Sequence, residues 1–123
     1  MKLAISSVGN NLDSEVDKRY ARCSYFIIYD TDRKDFEAVK NEAINAPSGA
    51  GVQSTQLMRD KGVEVVLTGN MGPTAMSVLT SAKIKVAIGV KGSVRDAIEK
   101  FNKGEYELTD QSNVGPRSGF GRV

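Results

Sequence analysis

Three cations and the only thiol of the chain lie within six residues, Lys18-Arg19-Tyr20-Ala21-Arg22-Cys23. Guanidinium forks donate to oxo or sulfido atoms, and a thiolate is a soft metal ligand, so the cluster suits an anionic, metal-bearing group. Arg19 and Arg22 are the candidate anion contacts. Cys23 reads two ways, as a soft metal ligand or as a small hydrophobe in the core, the second being the commoner fate of a free cysteine.

Three glycine-bearing stretches suit the same group: Gly9-Asn10-Asn11, Gly49-Ala50-Gly51 and Gly69-Asn70-Met71-Gly72-Pro73. Glycine lets backbone approach a ligand closely, and a helix start presents unpaired N–H groups with partial positive charge. Asn10, Gly49, Gly51, Gly69, Asn70 and Gly72 therefore join the candidates, although each loop alone also reads as an ordinary strand-to-helix turn. Pro73 suits a first helical turn, where its missing N–H is not needed. Gln53, in the first turn of the helix after Gly49, reaches the same region; with Gln56 it is equally well explained as a solvent-facing side chain.

Catalytic readings fare worse. Metal-dependent hydrolysis on an α/β sheet needs carboxylates at strand ends, whereas one strand ends in Ser6-Ser7-Val8 and another at Thr68. Asp13, Glu15 and Asp17 alternate beside Lys18 and Arg19, the pattern of a solvated surface. The sequence holds no phosphate-binding G-x-x-x-x-G-K-[ST] loop, no G-x-G-x-x-G fingerprint, no G-x-S-x-G elbow and no histidine for a nucleophilic triad. The expectation is a binder or carrier that is not an enzyme.

The elements that must position these residues follow from periodicity. Residues 2–8 and 25–29 are β-prone runs joined by the polar segment Gly9 to Arg22, which lacks core periodicity and is expected to be mobile without a ligand. Turn chemistry at Asp30 to Asp35 makes 25–40 a β-hairpin. Helix and strand then alternate. Ala50, Ser54, Leu57 and Met58 form one helical stripe before the run 63–68; Ala75, Met76, Leu79 and Ala82 form a second before 84–88; Val94, Ala97, Ile98 and Phe101 form a third behind a Ser93-x-x-Asp96 capping box. The order β-β-β-α-β-α-β-α with right-handed crossovers predicts an α/β fold, a three-layer α/β/α sandwich with a mixed five-stranded sheet and ribonuclease H-like topology. The first strand is central, between the hairpin and the 63–68 strand, and this switch point places a ligand crevice at the carboxyl ends of the strands.

At 123 residues and 40% hydrophobic content the chain fits one domain, expected over 1–108, with a flexible Gly/Ser/Pro-bearing tail over 109–123. Seventeen basic against fifteen acidic residues leave a net charge of +2, too weak a field to argue for nucleic acid. One cysteine and no histidine exclude an intrachain disulfide and a closed tetrahedral zinc site. With no long apolar run, the expectation is a cytoplasmic protein, off the membrane, monomeric or weakly homodimeric.

Five stretches, Gly9-Asn10-Asn11-Leu12-Asp13-Ser14, Arg22-Cys23-Ser24-Tyr25-Phe26, Gly49-Ala50-Gly51-Val52-Gln53, Leu57-Met58-Arg59-Asp60-Lys61-Gly62-Val63 and Thr68-Gly69-Asn70-Met71-Gly72-Pro73, resemble in order and spacing the dinitrogenase iron–molybdenum cofactor biosynthesis family. The resemblance runs from about residue 1 to 105 and implies a ribonuclease H-like α/β/α fold. It also implies a nitrogenase accessory factor-like role: binding or carrying an iron–molybdenum cofactor precursor or a molybdenum–sulfur cluster, with cofactor-assembly proteins as partners. The alternative is a protein-interaction or regulatory domain with no bound cluster. Tyr20-Ala21-Arg22-Cys23 departs from the family's usual Phe-Gly-Arg-Ala, exchanging a glycine and gaining a thiol.

Overall fold

Alternation along the first strand sends Ala4 to one face of a sheet and Leu3 and Ile5 to the other, and both faces are covered. The computed structural model describes residues 1–111. Its elements are β1 (Lys2–Ser7), β2 (Tyr25–Asp30), β3 (Asp35–Lys40), α1 (Ala50–Asp60), β4 (Val63–Leu67), α2 (Pro73–Ser81), β5 (Lys85–Ala87) and α3 (Val94–Asn102). The sheet order is β3-β2-β1-β4-β5. β1 pairs antiparallel with β2 and parallel with β4, β2 pairs antiparallel with β3, and β4 pairs parallel with β5. This is the mixed five-stranded, three-layer α/β/α arrangement expected from the sequence order, with β1 at the switch point.

α1 and α2 cover one face, burying Met58, Met76 and Leu79 against Ala4, Phe26, Ile28, Val66 and Val86. α3 covers the other, burying Val94, Ala97 and Ile98 against Leu3, Ile5, Ile27, Val65 and Leu67. Ser93 caps α3 as its motif implies, its Oγ accepting from Asp96 N at 3.0 Å. In α1 the expected stripe is shifted: Leu57 is half-buried, while Thr55 is buried because its hydroxyl meets the Tyr20 hydroxyl at 3.1 Å.

Gly9 to Arg22, expected to be mobile, is anchored on both faces of the sheet. Val16 is buried in the α3-side core and Tyr20 in the α1-side core, where its ring centroid lies 5.6 Å from that of Phe26. The backbone is pinned by Asp17 N to Ser6 O (2.9 Å), Val16 N to Gly92 O (2.8 Å) and Asn70 N to Lys18 O (2.6 Å). Polar residues between these anchors conceal long-range contacts that have no local periodicity. At the other end, Thr109 N donates to Val86 O at 2.7 Å, so the chain still pairs with β5 at residue 109. The rest of the expected tail, from 112 on, lies outside the described residues. Among the described residues no helix is long and apolar enough to cross a membrane.

Candidate functional site

The loops at the carboxyl ends of β1 and β4 meet the first turns of α1 and α2 around a crevice of about 530 Å³. One wall is Arg19 to Arg22; the other is Gly49 to Val52, Asn70 and Gly72 to Ala75. Gly69 permits the approach of the two sides: a Cβ there would fall 2.8 Å from Lys18 Cα, inside van der Waals contact with backbone. Tyr20, at the base of the first wall, ties it to α1 through Thr55.

Both helix starts in this crevice are bare. α1 begins at Gly49, whose φ of 74° is a left-handed conformation that glycine adopts without strain, and α2 begins at Gly72 with φ −76°. Neither has a side-chain cap or an acidic residue in its first turn. The amides of Ala50, Gly51, Val52, Thr74 and Ala75 find no acceptor among the described residues. Such amides carry the positive end of the helix dipole.

Arg22 adds a cation. Its Nη1 donates to Ile44 O at 3.1 Å and Ala46 O at 2.7 Å, carbonyls in the segment leading to α1, while Nε and Nη2 have no acceptor among the described residues. Arg19 is more exposed and already bonded to Asp17, with Nε to Oδ1 at 3.3 Å. At the strand ends stand hydroxyls: Ser6 Oγ and Thr68 Oγ1 are 2.7 Å apart and buried, and Ser6 Oγ also donates to Asp17 O.

The structure gathers Arg19, Arg22, Gly49, Gly51, Asn70 and Gly72 along the crevice and puts Gly69 directly behind it. The other three candidates lie elsewhere. Asn10 is exposed and does not line the crevice. Gln53 lines a separate hollow of about 310 Å³ with Val39, Asn41 and Leu57, on the other side of the α1 lead-in. Cys23 is buried in the α1-side core, its Sγ donating to Tyr20 O at 3.2 Å, and burial pushes its thiol up to about 12. A thiol so placed is packed away from the crevice and keeps its proton at neutral pH. Among the described residues no three His, Cys, Asp or Glu side chains cluster to hold a metal ion. Tyr20, Thr74 and Ala75 line the crevice too; in the sequence Ala75 reads only as a core position of the helix, and the first-turn place after Pro73 is the signal for Thr74 and Ala75.

The model of the family described as dinitrogenase iron-molybdenum cofactor matches residues 1–104. An uncharacterized protein of Methanocaldococcus jannaschii is 30% identical over 110 residues, covering 87% of this chain and 90% of its own length. The apo form of the orange protein from Desulfovibrio gigas superposes with a TM-score of 0.88 at 32% identity, covering 91% of this chain and 95% of that one. A NifB-type protein from Thermotoga, solved by NMR, gives a TM-score of 0.79 at 39% identity, covering 89% and 94%. The chain belongs to the dinitrogenase iron-molybdenum cofactor family.

Proposed function

We propose that the protein binds or carries an iron–molybdenum cofactor precursor, or a related anionic metal–sulfur cluster, in this crevice without changing its bonds. The observation that carries the reading is the contrast between helix starts. At α3 every first-turn amide is satisfied: Val94 N donates to Ser14 O (2.9 Å), Arg95 N to Leu12 O (2.8 Å) and Asp96 N to Ser93 Oγ (3.0 Å). The two helices that open on the crevice are left uncapped side by side, beside the uncommitted edge of Arg22. An anion bridging them would satisfy all of these donors at once.

The crevice lining fits a cargo held from outside. Among the described residues its lining has no thiol, imidazole or carboxylate, so a cluster would be gripped through its sulfido or oxo atoms by N–H and guanidinium donors. The volume of about 530 Å³ is roomier than a lone tetrahedral oxyanion needs. Family membership supports a role in cofactor assembly, and the orange protein, a relative described in an apo form, supports a separable group. The protein would exchange its cargo with cofactor-assembly proteins in the cytoplasm.

The test is anaerobic titration of the purified protein with tetrathiomolybdate, molybdate or a cofactor extract. Stoichiometric co-elution with shifts of the Ala50, Gly51, Val52, Thr74 and Ala75 amides is expected. No binding at micromolar protein, or binding that leaves these amides unmoved, overturns the reading.

A further inference from the structure

Asn41 lies just past the end of β3, does not line the crevice, and is 2% exposed. All of its hydrogen-bonding groups are engaged. Its Nδ2 donates to Ala21 O at 3.0 Å and Cys23 O at 2.8 Å, and its Oδ1 accepts from Ala43 N at 3.0 Å. Its backbone N donates to Ser24 O at 3.0 Å, and its carbonyl accepts from Ile44 N at 3.3 Å. A carboxamide is the side chain that can do this, with two donors for two carbonyls and one acceptor for an amide. The carbonyls belong to the wall carrying Ala21 and Arg22; the amide belongs to the segment that runs into Gly49 and the bare start of α1. Arg22 crosses the same gap from the wall to Ile44 O and Ala46 O.

We propose that Asn41 is the positioning residue of the crevice: it locks the Arg22 wall to the lead-in of α1 and so sets the gap that an anion spans. The inference rests on the anion-binding reading above. A site of preformed donors depends on buried supports that hold those donors at fixed spacing, and Asn41 is joined to both sides of the gap. It has no bond to α2, so the Thr74 and Ala75 amides do not depend on it.

Asn41→Asp tests this with almost no change of shape, because it replaces a donor facing two carbonyls by an acceptor. The probe is tetrathiomolybdate, followed by amide shifts. The expected result is at least tenfold weaker binding, with the Ala50, Gly51 and Val52 responses reduced and those of Thr74 and Ala75 retained. Unchanged affinity, or loss of both sets in proportion as a general loss of folded protein would give, overturns the proposal. If the wild type itself shows no response at any of the five amides, the anion-binding reading fails instead. Should Asn41→Asp not fold, the wild type decides: saturating tetrathiomolybdate should slow exchange of the Asn41 Nδ2 protons at least tenfold, and unchanged exchange overturns the proposal.

Discussion

A Cβ on Gly51 would stand 3.1 Å from the Cβ of Ala75 and 3.3 Å from its Cα, so α1 and α2 pack closely at their first turns and a side chain there would have to push Ala75 aside. This closeness brings two bare helix ends onto one crevice. Gly51→Val should therefore part the helices, lowering stability by about 1–3 kcal/mol and weakening tetrathiomolybdate binding at least tenfold. Denaturant unfolding and calorimetric titration read the two effects separately. Unchanged affinity would mean that the convergence of helix ends is not what binds.

Gly69 and Gly72 look alike in sequence and differ in what they meet. A Cβ at Gly69 would lie 2.8 Å from Lys18 Cα and 3.1 Å from Lys18 O, whereas one at Gly72 meets nothing within 4 Å, and φ −76° there suits any residue. Gly69→Ala should cost about 1–3 kcal/mol, since backbone cannot yield as a flexible side chain can, and should break the 2.6 Å bond from Asn70 N to Lys18 O. Gly72→Ala should leave stability within about 0.5 kcal/mol of wild type. Equal midpoint shifts in urea for the two variants would contradict this.

These contrasts show where sequence reasoning ran short. The sheet order was legible because it follows from element order and crossover handedness, and α3 because Ser93 and Asp96 are a local signal. The glycine loops were legible as loops, but which glycine is crowded depends on Lys18, about fifty residues away in the chain. Thr55 and Asn41 carry polar side chains at buried positions, and a pattern of apolar residues cannot register them. Arg22 was legible as a cation; its bonds to Ile44 O and Ala46 O were not, because backbone acceptors leave no mark on residue type.

Burial makes the core sensitive to alkali. It raises the Cys23 thiol from 9.0 to about 12 and also pushes up the Tyr20 phenol. The unfolded chain thus loses these protons first. The thiol's contribution to stability should be complete below about pH 9 and should decline as pH climbs toward 12, with a slope of up to about 1.4 kcal/mol per pH unit. Cys23→Ala should flatten that decline between pH 9 and 11 and leave tetrathiomolybdate binding unchanged. Loss of binding in Cys23→Ala, with the fold intact by circular dichroism, would return the thiol to the site.

Ser93 offers a control on the opposite face of the sheet. Ser93→Ala removes the acceptor for Asp96 N and should cost about 1 kcal/mol of stability, as lost helix caps do. Anion affinity should not change, because α3 packs on the other face and none of its residues lines the crevice. A tenfold fall in affinity measured well below the melting temperature would show that the two faces are coupled.

Arg22 combines two jobs that a pair of substitutions can separate. Its Nη1 holds the carbonyls of Ile44 and Ala46, and in the proposed function its other nitrogens would take the anion. Arg22→Ala loses both, and a charge-assisted hydrogen bond of about 1.5–3 kcal/mol implies roughly ten- to 150-fold weaker binding. Lysine keeps the charge but has a single ammonium on a flexible stem, so it can serve the carbonyls or the anion but not both in fixed geometry. Arg22→Lys should therefore recover only part of the affinity. Arg19→Ala should matter less, since that side chain is 64% exposed and already paired with Asp17. Lys103→Ala, at the far end of α3, should change nothing. If Arg22→Lys binds tetrathiomolybdate as tightly as wild type, charge alone suffices and the fork has no part in the site; if Arg22→Ala does too, the anion lies elsewhere.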